Sequence, residues 1–340
     1  MSDALLSPTV GFAFCAVSAA LLGYSARKIR AESDESKIPL MGVLSAFVFA
    51  AQMINFSIPG TGSSGHLSGG LLLAVFLGPY RGFLAIASVL VIQCLFFADG
   101  GLMALGANIF NMGFWACFIV YPLLWRPWLE AGFSRPRLAF ISILSAMIIL
   151  LLGALGVVLE TSFSGIADLP LSTFMMFMLP IHLGIALVEG AATLAIILFI
   201  RRTRPELLGI LAEEGAGPSR LAYAKGAAVL LTMALFTGAV LSRFASTRPD
   251  GLEWSLAKTR AAKAAGKPVF SASPAATMPR IQRGRNPGRR TAYRVPEHPG
   301  CPELRDYTGL WARRWHWRSR SDWDSRFGTG AVNPRGRGLR

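Results

Sequence analysis

The sequence predicts an all-α protein: a polytopic transmembrane helical bundle of about seven or eight membrane segments. Three observations lead there. The 340 residues are 53% hydrophobic with a mean hydropathy of +0.47, too apolar for a soluble domain of this length. Apolar runs of membrane length are separated by short polar turns. The Lys and Arg residues of the apolar body recur at alternate turns, as a threaded membrane chain requires.

A span needs about 20 apolar residues. The candidate helices are 10–26, 38–56, 67–77, 83–97, 102–125, 138–159, 174–200 and 224–241. The first has no basic residue before it, and Arg27, Lys28 and Arg30 follow it. That order describes a retained helix with its N-terminus outside rather than a cleavable signal. The third run is too short to cross alone and reads as a half-buried or re-entrant piece. Positive charge follows the first run, the third (Arg81), the fifth (Arg126, Arg135, Arg137) and the seventh (Arg201, Arg202, Arg204). With the third segment counted as a crossing, these turns fall on the cytoplasmic side of the cell (inner) membrane. The N-terminus and loops 59–66, 99–101 and 160–170 then fall on the outer side.

After Leu241 the text changes. Residues 242–256 read as a short outer loop leading into an amphipathic piece. From Lys258 onward the chain is rich in Arg, Pro, Gly, Ser and Trp without a period of 3.6 or 2, and is expected to be disordered. Most of the basic residues behind the formal charge of +15 lie beyond Leu241. An outer-facing tail argues against nucleic acid as a partner and leaves lipid as the surface met. Cys15, Cys94 and Cys117 sit in apolar runs and Cys301 in the tail, with no CxxC, so neither a disulfide framework nor a zinc site is indicated. The expected division is a membrane domain over 1–205, a linker with an extra helix and outer segment over 206–257, and a tail over 258–340.

The polar side chains with chemistry concentrate in the turns and in two apolar helices. His66 lies in PGTGSSGHLSGG, where glycines let backbone approach a ligand and imidazole suits nickel, cobalt, copper or zinc. A loop histidine at the membrane surface is the plainer reading; the one-sided clustering of the N-terminus, His66, Asp99 and Glu160 favours a ligand. Asp99 in FADGG either attracts a cation or caps a turn. Asn108 and Asn111 recur at i,i+3 and either support the loops over a site or join helices. His182 and Glu189 share a helix face two turns apart, and ionisable groups at that depth are functional by default. Gln52 and Asn55 stand where they can support the His66 loop. The methionines are scattered and read as core filler. No HExxH, P-loop or nucleophile elbow occurs, so the chain carries no ATPase of its own. An intramembrane metal-dependent enzyme using His66, Asp99 and His182 is the alternative of another class, but no motif supplies an open position and a base.

KIPLMGVLSAFVFAAQMINFSIPGTGSSGHLSGG and FADGGLMALGANIFNMG resemble the CbiM/NikM family, as do SDALLSP and IHLGIALVEG. The resemblance runs from Ser2 to Ile200, and PDGLEWSL resembles the NikN-type subunit fused to some members. It implies the cobalt- or nickel-binding membrane subunit of an energy-coupling-factor (ECF) ABC transporter. The cargo is Co(II) or Ni(II), with no prosthetic group. The partners are a transmembrane coupling subunit and cytoplasmic ATPases, and the uptake serves cobalamin synthesis or nickel enzymes. The opening and the Gly-rich loop lie nearer the CbiM branch, which favours cobalt; a nickel importer is the alternative. A vitamin-binding subunit of the same transporter class is a third reading, and the small loop argues against so bulky a ligand.

The family holds its ion through the N-terminal amine, the amide and imidazole of a histidine at residue two, and a loop histidine matching His66. Here Met1 and Ser2 supply the amine and amide, and the imidazole is missing. Two expectations follow: the natural start lies two residues earlier, and the tail beyond about residue 280 is frameshifted.

Overall fold

The computed structural model describes residues 1–32, 37–132, 134–167, 169–203 and 220–265, with side chains at 220–224 excepted. All of them belong to one compact unit spanning Met1–Ala272. A 3-10 turn at Asp3–Leu5 leads into α1 (Pro8–Glu32). α2 (Ile38–Gln52) and a two-stranded hairpin (β1, Phe56–Ser57; β2, Ser64–Gly65) follow. The strands are antiparallel, with Phe56 opposite Gly65 and Ser57 opposite Ser64. Then come α3 (Gly70–Leu77), α4 (Pro79–Phe97) and α5 (Leu105–Glu130). α6 (Arg135–Ser164), α7 (Leu171–Thr203), α8 (Arg220–Ala239) and α9 (Gly251–Ala264) complete the described chain.

Among the described residues six helices are long and apolar enough to cross a membrane: α1, α4, α5, α6, α7 and Lys225–Phe244, which includes most of α8. The protein is a helical, multi-pass membrane protein. α2 has 15 residues, about 22 Å of helix at 1.5 Å per residue, and falls short of the hydrocarbon thickness. The apolar run continues to Phe56, but the helix stops at Gln52 and the chain turns into the hairpin.

α3 is the short piece the sequence singled out. All eight of its residues are buried. It packs on α4 and α5, and Gly78 turns the chain sharply into α4. Its apolar run without a polar face is therefore that of an element surrounded by protein. The buried core joins α2, α3, α4 and α5 to parts of α6, α7 and α8.

α6 and α7 form the most extensive helix pair, and α8 packs on α2. α5 is π-helical over Phe110–Trp125. That winding is rare and concentrates at functional positions.

Arg81 at the start of α4 is ion-paired with Glu32 at the end of α1, so these two polar ends meet. Met1, Asn108 and Thr161 meet at the other end of the bundle. The sequence reading placed Glu160 in a loop. Instead α6 runs on to Ser164, Gly165 in a left-handed conformation ends it, and Glu160 is buried inside the helix. α9 also carries ordered chain past Lys258, to Ala264. Asp250 caps its first turn, and the Ala- and Lys-rich text that follows has high helix propensity. The remainder of the expected tail, including the proposed frameshift, lies outside the described residues.

Candidate metal centre

At the Met1 end of the bundle a cavity of about 140 Å³ opens between the N-terminus, the Gly-rich loop and helices α5, α6 and α7. Residues 250–252, at the start of α9, close one wall. The nitrogen-bearing groups on it are the Met1 amine, His66, His182, Asn108 and Asn111.

The N-terminus is held by Asn108 at both of its polar groups. The Met1 amine donates to Asn108 Oδ1 at 3.0 Å, and Asn108 Nδ2 donates to the Met1 carbonyl at 3.1 Å. Gly101 N–H adds a bond to the same carbonyl at 3.3 Å, and Asp3 accepts from Ala104 N–H at 2.9 Å. Burial pushes the amine below its usual value of 8.0, against the pull of Asp250, Asp99, Glu160 and Asp3. A neutral amine has the free lone pair that a metal needs. The four carboxylates create a field that attracts cations.

The Gly-rich loop is fixed from below. Glu189 on α7 is buried, and its carboxylate accepts from Ser68 N–H at 2.6 Å, Ser68 Oγ at 2.5 Å and Gly69 N–H at 3.0 Å. Those donors stand at the N-terminus of α3, where unpaired N–H groups favour an anion. Gln52 Nε2 donates to the Ser68 carbonyl at 2.7 Å, and Gln52 Oε1 accepts from Gln93 Nε2 at 2.6 Å. Gly69 adopts φ +73°, and a Cβ there would come within 2.5 Å of Val48, so the position admits only glycine. This loop carries His66 to the cavity, with its Nδ1 3.1 Å from the Leu67 carbonyl.

His182 enters from α7, its Nδ1 2.8 Å from the Met178 carbonyl one turn earlier. A carbonyl can only accept, so each Nδ1 is the nitrogen that carries a proton, and in the neutral ring the lone pair falls on Nε2. Asn111 holds Glu160 through Nδ2 at 3.0 and 2.9 Å, and its Oδ1 is buried without a partner.

Residues 246–250 are stitched to the Gly-rich loop and its hairpin. Ser64 N–H donates to the Pro249 carbonyl at 2.8 Å, Ser64 Oγ to the Arg248 carbonyl at 2.8 Å, and Ser246 N–H to the Asn55 carbonyl at 2.6 Å. Asp250 caps α9 through Glu253 N–H at 2.7 Å and faces the cavity. Gly251 lies against α7, where a Cβ would come within 2.7 Å of Ile181 and 3.3 Å of His182. Leu252 and Leu256 pack on the cluster formed by Phe174, Met178 and Val158.

The structure brings His66, His182, Asn108, Asn111 and Met1 to one cavity. Glu189 and Gln52 stand beneath the loop, and Asn55 touches the 246–250 segment through its backbone. Asp99 is exposed and off the cavity wall, acting on the amine only through its charge. Ser2 is also exposed and off the wall. Sequence reasoning missed Asp250, which a cap signal ahead of an apolar piece could have flagged. It also missed Met112 and Met178 as lining residues. Among the described residues no three His, Cys, Asp or Glu side chains converge closely enough to hold a metal by themselves.

Fold and cavity together define a multi-pass membrane protein with a nitrogen-lined polar site at one end of its bundle. The family model described as cobalt uptake substrate-specific transmembrane region, CbiM, matches residues 1–207, and the PDGLE domain matches 224–284. The chain belongs to the CbiM family, the cobalt and nickel transport membrane proteins. It is 38% identical to an Archaeoglobus fulgidus protein named "Putative fused nickel transport protein NikMN", over 69% of this chain and 75% of that one. It is 30% identical to a cobalt transport protein CbiM of Sorangium cellulosum, over 53% of this chain and 80% of that one. A crystal structure of a truncated transition metal transporter superposes with a TM-score of 0.53 at 28% identity, covering 60% of this chain and 98% of that one. The relatives are named as transport proteins, and the chain is a transporter component rather than an enzyme.

Proposed function

We propose that this protein is the capture subunit of an ECF-type ABC importer for Co(II) or Ni(II). The Met1 end of the bundle faces outside the cell membrane, and the Arg81–Glu32 end faces the cytoplasm. The observation that carries the reading is the shared cavity of the Met1 amine, His66 and His182, three nitrogen donors within a surround of carboxylates. Nitrogen donors suit Ni(II) and accept Co(II), while the carboxylates draw a cation inward. The chain has no nucleotide motif, so a transmembrane coupling subunit and cytoplasmic ATPases supply the energy. Cobalt taken up this way feeds cobalamin synthesis, and nickel feeds nickel enzymes.

Asn108, Asn111, Gln52 and Glu189 act as support: Asn108 fixes the amine, and Glu189 and Gln52 fix the loop that bears His66. The test has two arms. Purified protein is titrated calorimetrically with Ni(II) and Co(II), alongside a His66→Ala variant. One ion per chain, with affinity lost in the variant, is expected; the affinity ratio assigns the cargo. Radiolabelled Co(II) or Ni(II) uptake is then measured in cells with and without the ATPase subunits. Uptake that does not need them would overturn the importer assignment.

A further inference from the structure

A second cavity lies across the Gly-rich loop from the first. It measures about 20 Å³, room for one water-sized sphere, and is walled by α2, the loop with the start of α3, and α7. Gly65 and His66 stand on the wall of the first cavity, Leu67 and Gly69 on the wall of the second, so the loop is the partition between them. α7 passes both. Met178, His182 and Ile185 line the first cavity and Glu189, Thr193 and Ile196 the second, each three or four residues after the last. That spacing puts all of them on one face of the helix, which runs from one cavity to the other toward Arg201.

Two polar groups on the second wall have capacity to spare. Glu189 Oε1 accepts from Ser68 Oγ and Gly69 N–H. Among the described residues its Oε2 accepts from Ser68 N–H alone, which leaves an acceptor position on the carboxylate. Thr193, one turn further along α7, is 3% exposed, and its hydroxyl makes no hydrogen bond among the described residues. A helical threonine commonly donates to the carbonyl one turn back, as Thr203 does to Phe199 and Thr232 to Ala228, both at 2.9 Å. A hydroxyl buried at membrane depth costs free energy unless something in the cavity meets it.

We propose that this cavity is a second station for the transported divalent cation, reached from the first by displacement of the Gly-rich loop, with the Glu189 carboxylate and the Thr193 hydroxyl as its protein ligands. The inference rests on the capture reading above and goes beyond it to the path the ion takes from the capture site. At rest the carboxylate is met by donors at the start of α3; an arriving cation takes their place. The rest of the wall is apolar, with Phe47, Val48, Ala51 and Leu72, so little screens the attraction between ion and carboxylate. Two oxygens hold Ni(II) or Co(II) less firmly than a set of nitrogens does. An ion in passage must be held weakly enough to leave.

The experiment compares two variants of the full chain at the same position. Thr193→Val keeps the branched shape and loses the hydroxyl; Thr193→Ser keeps the hydroxyl and loses a methyl group. A packing role favours valine, and a ligand role favours serine. Radiolabelled Ni(II) and Co(II) uptake is measured in cells carrying the complete transporter, and ion affinity is measured calorimetrically on each purified variant. Uptake is expected to slow at least about tenfold in Thr193→Val, from loss of one polar contact to a charged guest, and to stay near the unaltered rate in Thr193→Ser. Ion affinity at equilibrium is expected to be unchanged in both, because the capture site is intact. Uptake in Thr193→Ser no faster than in Thr193→Val, or an affinity loss that accounts for the slower uptake, would overturn the inference and leave the capture reading standing. No binding of either ion by the unaltered, folded protein would overturn both.

Discussion

Asn108 shows how a single amide can define a site. Its two polar atoms grip the amine and the carbonyl of Met1, so the chain terminus is placed as firmly as a side chain. Asn108→Ala removes two hydrogen bonds worth roughly 0.5–1.5 kcal/mol each. It is expected to lower the melting temperature and to weaken ion binding, both measurable on one purified preparation. The surround of Met1 keeps the amine away from water. Desolvation penalises the ammonium form, so the midpoint lies below 8.0 and the neutral form persists to lower pH than at an ordinary terminus. Reductive methylation rates followed against pH should show that lowered midpoint in the unaltered protein. Glu189 is the second residue on which much depends. Glu189→Ala strands the buried donors of Ser68 and Gly69 at about 1–3 kcal/mol each. Thermal melting should record a marked loss of stability, with ion affinity falling as His66 loses its platform.

At the scale of the element, α1, α5 and α9 each depend on backbone approach that a larger residue would forbid. Gly106 on α5 faces α1, where a Cβ would lie 2.4 Å from the Cys15 backbone, and Ser18 Oγ donates to the Gly106 carbonyl at 2.6 Å. Small residues let membrane helices meet closely, since apolar burial alone gives no preference for protein over lipid. Gly106→Ala should cost about 1–3 kcal/mol by overpacking and lower the melting temperature, while Gly23→Ala, with open space at its Cβ, should not. α9 sits on α7 through Leu252, Leu256 and the close approach of Gly251. Asp250→Ala removes its N-cap, worth about 1 kcal/mol, and takes away a carboxylate that faces the cavity. A larger loss of Ni(II) affinity than of stability is expected, and titration beside melting separates the two. The short α3 has no lipid-facing role: it is a buried peg whose N-terminus presents backbone donors to Glu189.

For the whole molecule the prediction concerns sidedness. Membrane-impermeant maleimide applied to intact cells should label a cysteine placed at Ser2 or Ser57, and should reach one placed at Arg135 or Arg201 only after the membrane is opened. The reverse pattern would invert the proposed orientation and contradict capture from outside. The bundle joins its two ends through long helices. α7 runs from the cavity at His182 to Arg201 and Arg202 in its last turn, so the cavity and the basic end share one helix.

The sequence by itself determined that this is a multi-pass helical membrane protein, because apolar length and the alternation of basic turns follow directly from the thickness of the bilayer and the cost of charge within it. It also marked His66, Asn108, Asn111, His182 and Glu189, since polar groups in apolar runs need a partner or a cavity. Only the tertiary structure decided which of them meet. Asp99 stood as near to the turns in sequence as His66, yet it lies off the cavity wall, while Asp250, 184 residues from His66, lies on it. Helical period assigns a residue to a face of its own helix. Which other faces oppose it is set by packing among α5, α6, α7 and the segment before α9, and no local pattern encodes that meeting.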